Sequence, residues 1–129
     1  MNEHILPTDS ELEILQILWQ NGPSTVRFVH DIIAVKKDVG YTSTLKTMQL
    51  MLDKGMLERD IQDRTHYYIA ALEEQSTQKG LLNEFVASTF RGSASSLMMS
   101  VLGDGDINTD ELQKIKEMIT QLENNSHKS

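Results

Sequence analysis

The stretch YTSTLKTMQ, Tyr41 to Gln49, follows Gly40 and sets three small hydroxyl residues before a leucine, a lone lysine and another threonine. Small hydroxyl side chains at the start of a helix approach anionic oxygens closely, and the unsatisfied backbone N–H groups there favour an anion. Thr methyl groups also touch thymine methyls, and Ser and Thr hydroxyls pair with several bases. Thr42 and Ser43 are therefore candidates for phosphate or base-edge contact. Lys46, one turn further in, suits a base edge, guanine above all. Thr47 suits a base or a thymine methyl. Leu50 is unexpected on a polar face and fits either a thymine methyl or partial burial. Lys54 stands at the exit of the same segment. Further along, Arg64 lies in a polar turn from which a neighbouring phosphate or the minor groove is within reach, although Asp63 beside it opposes that contact. The plainer roles are helix capping for residues 42–44, a solvated lysine for Lys46 and an ordinary turn residue for Arg64.

Other chemistry finds little support. His4, His30, His66 and His127 share no metal-ligand spacing. The run Asp104 to Asp110 begins like a calcium loop, but Thr109 and Ile115 stand where the loop needs Gly and Glu, so it reads as a polar turn feeding a helix. No GxSxG, HExxH, P-loop or GxGxxG motif occurs. The chain reads as a non-enzyme without a cofactor.

The 129 residues carry 12 Lys and Arg against 19 Asp and Glu, a net charge of −7. Residues 1–72 hold 7 basic and 10 acidic residues, and residues 73–129 hold 5 and 9. Neither part offers the broad basic surface of an indiscriminate nucleic-acid binder. Any DNA contact must come from a local arrangement of charge. Cysteine is absent, which removes disulfides, thiolate metal sites and cysteine nucleophiles and fits a reducing cytoplasm. No apolar run approaches the roughly 20 residues that span a bilayer. MNEHILPTDSELE has no basic segment followed by an apolar one. The expectation is a cytoplasmic protein without direct membrane insertion.

The elements that must position these residues follow from periodicity. Thr8-Asp9-Ser10-Glu11 has capping-box form, and Leu12, Ile14, Leu15, Leu18 and Trp19 then recur at helical spacing until Asn21-Gly22-Pro23 stops the helix. Ser24 is placed to cap a second helix with Val26, Val29, His30 and Ile33 on its apolar face. The third helix is predicted from about Thr42 to Lys54, burying Leu45, Met48 and Leu52 with Met51 beside them, and Gly55 ends it. Met56 to Ile61 and His66 to Ile69 suit strands joined by Gln62-Asp63-Arg64-Thr65. Three helices followed by a hairpin is the order of a winged helix-turn-helix, whose third helix faces the major groove. The expected class is mainly α with a small β-hairpin.

After Leu72 the pattern is helical only. Residues 74–91 carry Leu81, Leu82, Phe85, Val86 and Phe90; Ala94 to Leu102 suit a short helix. Asn108 or Thr109 caps a last helix with Leu112, Ile115, Ile119 and Leu122 in one stripe, and the tail NNSHKS is expected to fray. These one-sided segments need a partner, most simply the same helices of a second copy. The expected division is a DNA-binding domain over 1–72 and a helical dimerisation domain over 73–129, with Leu81, Leu82, Phe85, Phe90, Leu112, Ile115, Ile119 and Leu122 in the dimer interface.

TDSELEILQILW, GYTSTLKTMQLMLDKGMLERD, RTHYYIA and FRGSASSLMMSVL stand in this order over about residues 6 to 123. In that arrangement they resemble the penicillinase-repressor family of transcriptional regulators, of the BlaI, MecI and CopY type. The resemblance implies a homodimeric repressor with a winged helix on palindromic double-stranded operator DNA and a C-terminal helical dimerisation domain. In the family's antibiotic-resistance members it further implies a membrane metalloprotease sensor that triggers cleavage in that domain. The matching bond here is Ser100-Val101, where those members have Asn-Phe. The copper-responsive branch has a cysteine-rich C-terminal motif, which this chain lacks. The alternative is a winged-helix interaction module that works by protein contact without DNA.

Overall fold

The computed structural model describes residues 5–103, 105 and 107–127. His4 and the aspartates 104 and 106 of the calcium-like run lie outside them. Along the described residues come α1 (Asp9–Asn21), α2 (Val26–Lys36), α3 (Tyr41–Asp53), β1 (Leu57–Gln62), β2 (Thr65–Ala70), α4 (Glu74–Thr89), α5 (Ala94–Gly103) and α6 (Thr109–His127). The mainly helical class with one antiparallel hairpin, and the order of a winged helix, are as expected. The chain divides into two compact units between Leu82 and Asn83.

The first helix starts where local chemistry dictates. Thr8 Oγ1 accepts from the Glu11 N–H (3.3 Å), and Glu11 Oε1 accepts from the Thr8 N–H (2.9 Å), so both halves of the capping box form. Ile14, Leu15, Ile17 and Leu18 are buried. Trp19 is half-buried against the core and donates its indole N–H to the Leu72 carbonyl at 2.9 Å.

The second helix buries Val26, Val29, His30 and Ile33 as its spacing predicts, but its cap differs. Thr25, not Ser24, accepts from the Phe28 N–H at 3.1 Å. Ser24 is occupied elsewhere: its backbone exchanges two hydrogen bonds with Tyr68 of β2, and its hydroxyl donates to the Gly22 carbonyl. A residue bound into a sheet rung stands one place too early to cap.

The third helix begins one residue earlier than expected. Gly40 is its N-cap and no side chain caps it. Residues 42–44 therefore do not cap: they lie inside the first turn, with Thr42 and Ser43 exposed and Thr44 buried. The buried face is Thr44, Met48 and Met51, while Leu45 and Leu52 only border the core. Lys54 is the C-cap, and Gly55 takes a positive φ of 84° beyond it, as a C′ residue should.

β1 has the expected length shifted by one residue, and β2 extends one residue past its expected run at each end. The hairpin turns on two residues, Asp63 (φ 48°) and Arg64 (φ 70°), with Gln62 opposite Thr65. Two positive φ values give a tight turn whose twist matches the strands. For a side chain such as Arg that backbone costs about 1 kcal/mol. Tyr68 of β2 is buried with the α1 and α3 residues, and this shared core joins the hairpin to the helices.

The first half of α4 belongs to the N-terminal unit. Thr77 is buried there and its hydroxyl donates to the Glu73 carbonyl. Gly80 admits Leu6: a Cβ at that position would stand 2.9 Å from Leu6 Cδ2. In the second unit, Asn108 Oδ1 accepts from the Glu111 N–H at 2.8 Å at the start of α6. That helix continues to His127, where fraying was expected.

Glu11 joins cap to core. It is 6% exposed and pairs with Lys54 Nζ at 2.8 Å. Burial pushes its carboxyl up, but the Lys54 hydrogen bond and charge and the Thr8 N–H together hold it below the ordinary Glu value. A lowered folded pKa gives stability that is present above the unfolded pKa and lost as pH falls through the folded one. Glu11→Gln keeps the cap but removes the charge. It should cost about 1 kcal/mol at neutral pH, Lys54 being half exposed. The gap to wild type should close as pH drops below about 4. Urea denaturation at pH 7 and pH 3.5 checks this; an equal gap at both would rule the charge out.

Candidate nucleic-acid interface

The outward face of α3 gathers most of the residues singled out in the sequence. Thr42, Ser43 and Lys46 are exposed, and Leu50 is 48% exposed, so the half-buried alternative for it is only partly met. Thr47 sits at the edge of this face. It is half-buried, and its hydroxyl donates to the Ser43 carbonyl at 2.9 Å. An oxygen lone pair and the methyl group remain for a ligand. Arg64 is exposed on the hairpin turn of the same unit.

Charge on this face is sparse and specific. Lys54 is held by Glu11, and Lys37, just before the face, is held by Glu13 at 2.9 Å. Arg27 pairs loosely with Asp31 at 3.9 Å and lies over the Tyr41 ring, 4.2 Å from its centroid. Among the described residues no carboxylate neutralises Lys46, so it is the cation that α3 presents to solvent. Lys54 reaches a phosphate only by loosening its hold on Glu11.

The orientation of the face is set from behind. His30 Nδ1 lies 3.0 Å from Thr44 Oγ1, both side chains are buried, and the His30 ring meets Tyr41 edge-on at 5.7 Å. This polar contact locks α2 to the first turn of α3. Sequence spacing placed His30 on an apolar face but did not reveal its partner, because Thr44 looks like its hydroxyl neighbours. Gln49 was also passed over: it is exposed on the same outward face, three residues after Lys46. The signal was its spacing from Thr42 and Lys46.

Among the described residues no three His, Asp or Glu side chains are placed to share a metal ion. No helix is long and apolar enough to cross a membrane, again among the described residues.

Removing one partner of a buried polar pair leaves the other without a hydrogen bond. Thr44→Val should therefore cost about 1–3 kcal/mol of stability, and His30→Leu with Thr44→Val less than the sum of the single changes. Denaturant titration of the four proteins checks this. Strict additivity would mean that the hydrogen bond contributes nothing.

Comparison with known proteins places the chain in a family. The Penicillinase repressor family model matches residues 7–121. A "Transcriptional regulator BlaI" from Mycobacterium tuberculosis is 25% identical over 116 residues, covering 89% of this chain and 83% of that protein. A "Penicillinase repressor" from Bacillus licheniformis is 22% identical over 123 residues, covering 91% of each. Among solved structures, a MarR family transcriptional regulator from Silicibacter pomeroyi aligns with 92% of this chain and 71% of its own, at 20% identity and a TM-score of 0.42. With the model spanning nearly the whole chain, from the residue before the α1 cap to within α6, the protein belongs to the penicillinase repressor family.

Proposed function

We propose that the protein is a cytoplasmic transcriptional repressor that binds operator DNA as a homodimer. The observation that carries this reading is the outward face of α3, where Thr42, Ser43 and an unneutralised Lys46 stand together on a helix locked from behind. Lys46 reads a base edge, the two hydroxyls meet phosphate or base edges, and Leu50 and the Thr47 methyl suit thymine methyls. Arg64 on the wing and Lys54, once freed from Glu11, add backbone contacts.

One such module carries few positive charges. Two of them on a palindrome double the contacts and set half-sites about one helical turn apart. The C-terminal helices supply the means. Leu82, Phe85, Ile119 and Leu122 are exposed, the last at 65%, and Leu81, Phe90, Leu112 and Ile115 are half-buried. No described residue of the second unit is buried. An apolar set of this size, without a core of its own, fits a dimer interface.

Release by proteolysis in the dimerisation domain is the further part of this reading, with a membrane metalloprotease sensor as partner. Ser100 and Val101 are exposed on α5, a helix with no buried residue. A protease takes an extended segment, and a helix so weakly tied opens locally at low cost. Cutting there separates the two DNA-binding modules and removes their joint hold.

The reading competes with a protein-interaction module that does not bind DNA, which the net charge of −7 favours. Fluorescence anisotropy on the DNA upstream of the protein's own gene, against a scrambled duplex at two salt concentrations, separates them. Selective, salt-dependent binding by two protomers per site is expected, with Lys46→Ala weakening it by about 1–3 kcal/mol. Equal weak binding to both duplexes, with no sequence enriched from a random pool, would favour the interaction module. Phe85→Glu should give monomers by light scattering and weaker operator binding. A variant that stays dimeric would take Phe85 out of the interface.

A further inference from the structure

Resting on the repressor reading, we infer that Gln49 is a specificity-determining residue that recognises adenine in the operator's major groove. The helix places Thr42, Lys46, Gln49 and Asp53 at spacings of four, three and four residues, one row along the outward face of α3. All four are exposed. Asp53 ends the row with a negative charge, which makes its own side chain a poor phosphate ligand. Thr42 opens it beside the uncapped first turn. Lys46 and Gln49 are left at its centre, the two side chains of the row that can pair with base edges.

Their chemistries differ in a way that distinguishes bases. A lysine ammonium only donates and suits the two acceptors of guanine. A glutamine amide donates and accepts side by side: its Nε2 gives a proton to adenine N7 while its Oε1 takes one from the adenine amino group. Among the described residues no side-chain hydrogen bond ties the Gln49 amide, so both of its ends are free for that pairing. Three helical residues advance about 4.5 Å along the axis, close to the roughly 3.4 Å step between base pairs. Gln49 therefore addresses a base pair next to the one Lys46 meets. Thr47 does not compete for this role, because its hydroxyl proton is committed to the Ser43 carbonyl.

The test is selection of the full-length protein on random duplexes, with Gln49→Ala and Gln49→Glu in parallel. Wild type should enrich a palindrome with adenine in one column next to guanine in each half-site. Gln49→Ala should lose the adenine preference in that column alone, by roughly five- to 150-fold, the range of a good bidentate contact. Gln49→Glu should move the same column to cytosine, whose amino group a carboxylate accepts from, at lower overall affinity. Circular dichroism should show both variants folded, since the side chain is exposed. A wild-type palindrome recovered unchanged by Gln49→Ala overturns the assignment while leaving the repressor reading intact. Failure of wild type to enrich any motif overturns the repressor reading, and the assignment with it.

Discussion

A helix can turn only one face toward a core, and whichever face it buries decides which face a ligand meets. For α3 that choice is made by Thr44, Met48 and Met51, and it is pinned near both ends. At the first turn the buried His30–Thr44 hydrogen bond ties it to α2; at the C-cap the Glu11–Lys54 pair ties it to α1. Both contacts are polar, and they do something the methionines cannot. Met side chains adapt to irregular space and would tolerate a small roll of the helix. A 3.0 Å hydrogen bond between buried groups does not, because rolling away leaves two polar atoms without partners. The row from Thr42 to Asp53 therefore inherits its direction from polar contacts made behind it, His30–Thr44 and Glu11–Lys54.

The same arrangement explains how an acidic chain presents a usable cation. Two carboxylates of α1 are engaged with lysines that flank α3: Glu11 takes Lys54 and Glu13 takes Lys37. These pairs cancel charge beside the helix and leave Lys46 as its unpaired positive group. A net charge of −7 suppresses loose attraction to polyanions. In the proposed dimer, affinity then depends on a fitted face and on having two copies of it rather than on charge density. On this view the negative charge favours selectivity, since nonspecific binding is almost entirely electrostatic.

What was legible in the sequence was local. The Thr8–Glu11 box, the Gly22 stop and the hairpin turn each depend on a few consecutive residues, and they form as their spacing predicts. The exposed positions Thr42, Ser43, Lys46 and Leu50 were legible too, because helical periodicity separates two faces. Three of the misreadings turn on distant partners. Ser24 resembles a cap until Tyr68, 44 positions away, claims its backbone. Thr44 resembles its hydroxyl neighbours until His30 from another helix meets it. Lys54 resembles a free cation until Glu11 neutralises it. Periodicity gives the face of a helix but not what stands behind that face.

The two units differ in how much of their stability lies within one chain. The first closes its own core around Leu15, Val29, Met48, Met51 and Tyr68, with the wing hairpin part of it. The second has α5 and α6 with no described residue buried, and its apolar side chains reach solvent at Met99, Ile119 and Leu122. Apolar surface of that kind gains its free energy only when another surface covers it. In the proposed dimer, folding of the C-terminal unit is coupled to association, and its stability depends on protein concentration as well as on sequence. For a repressor such coupling has a direct consequence. In the proposed dimer the first unit keeps a core of its own, so separating the protomers would lower operator occupancy by ending their joint hold rather than by unfolding α3.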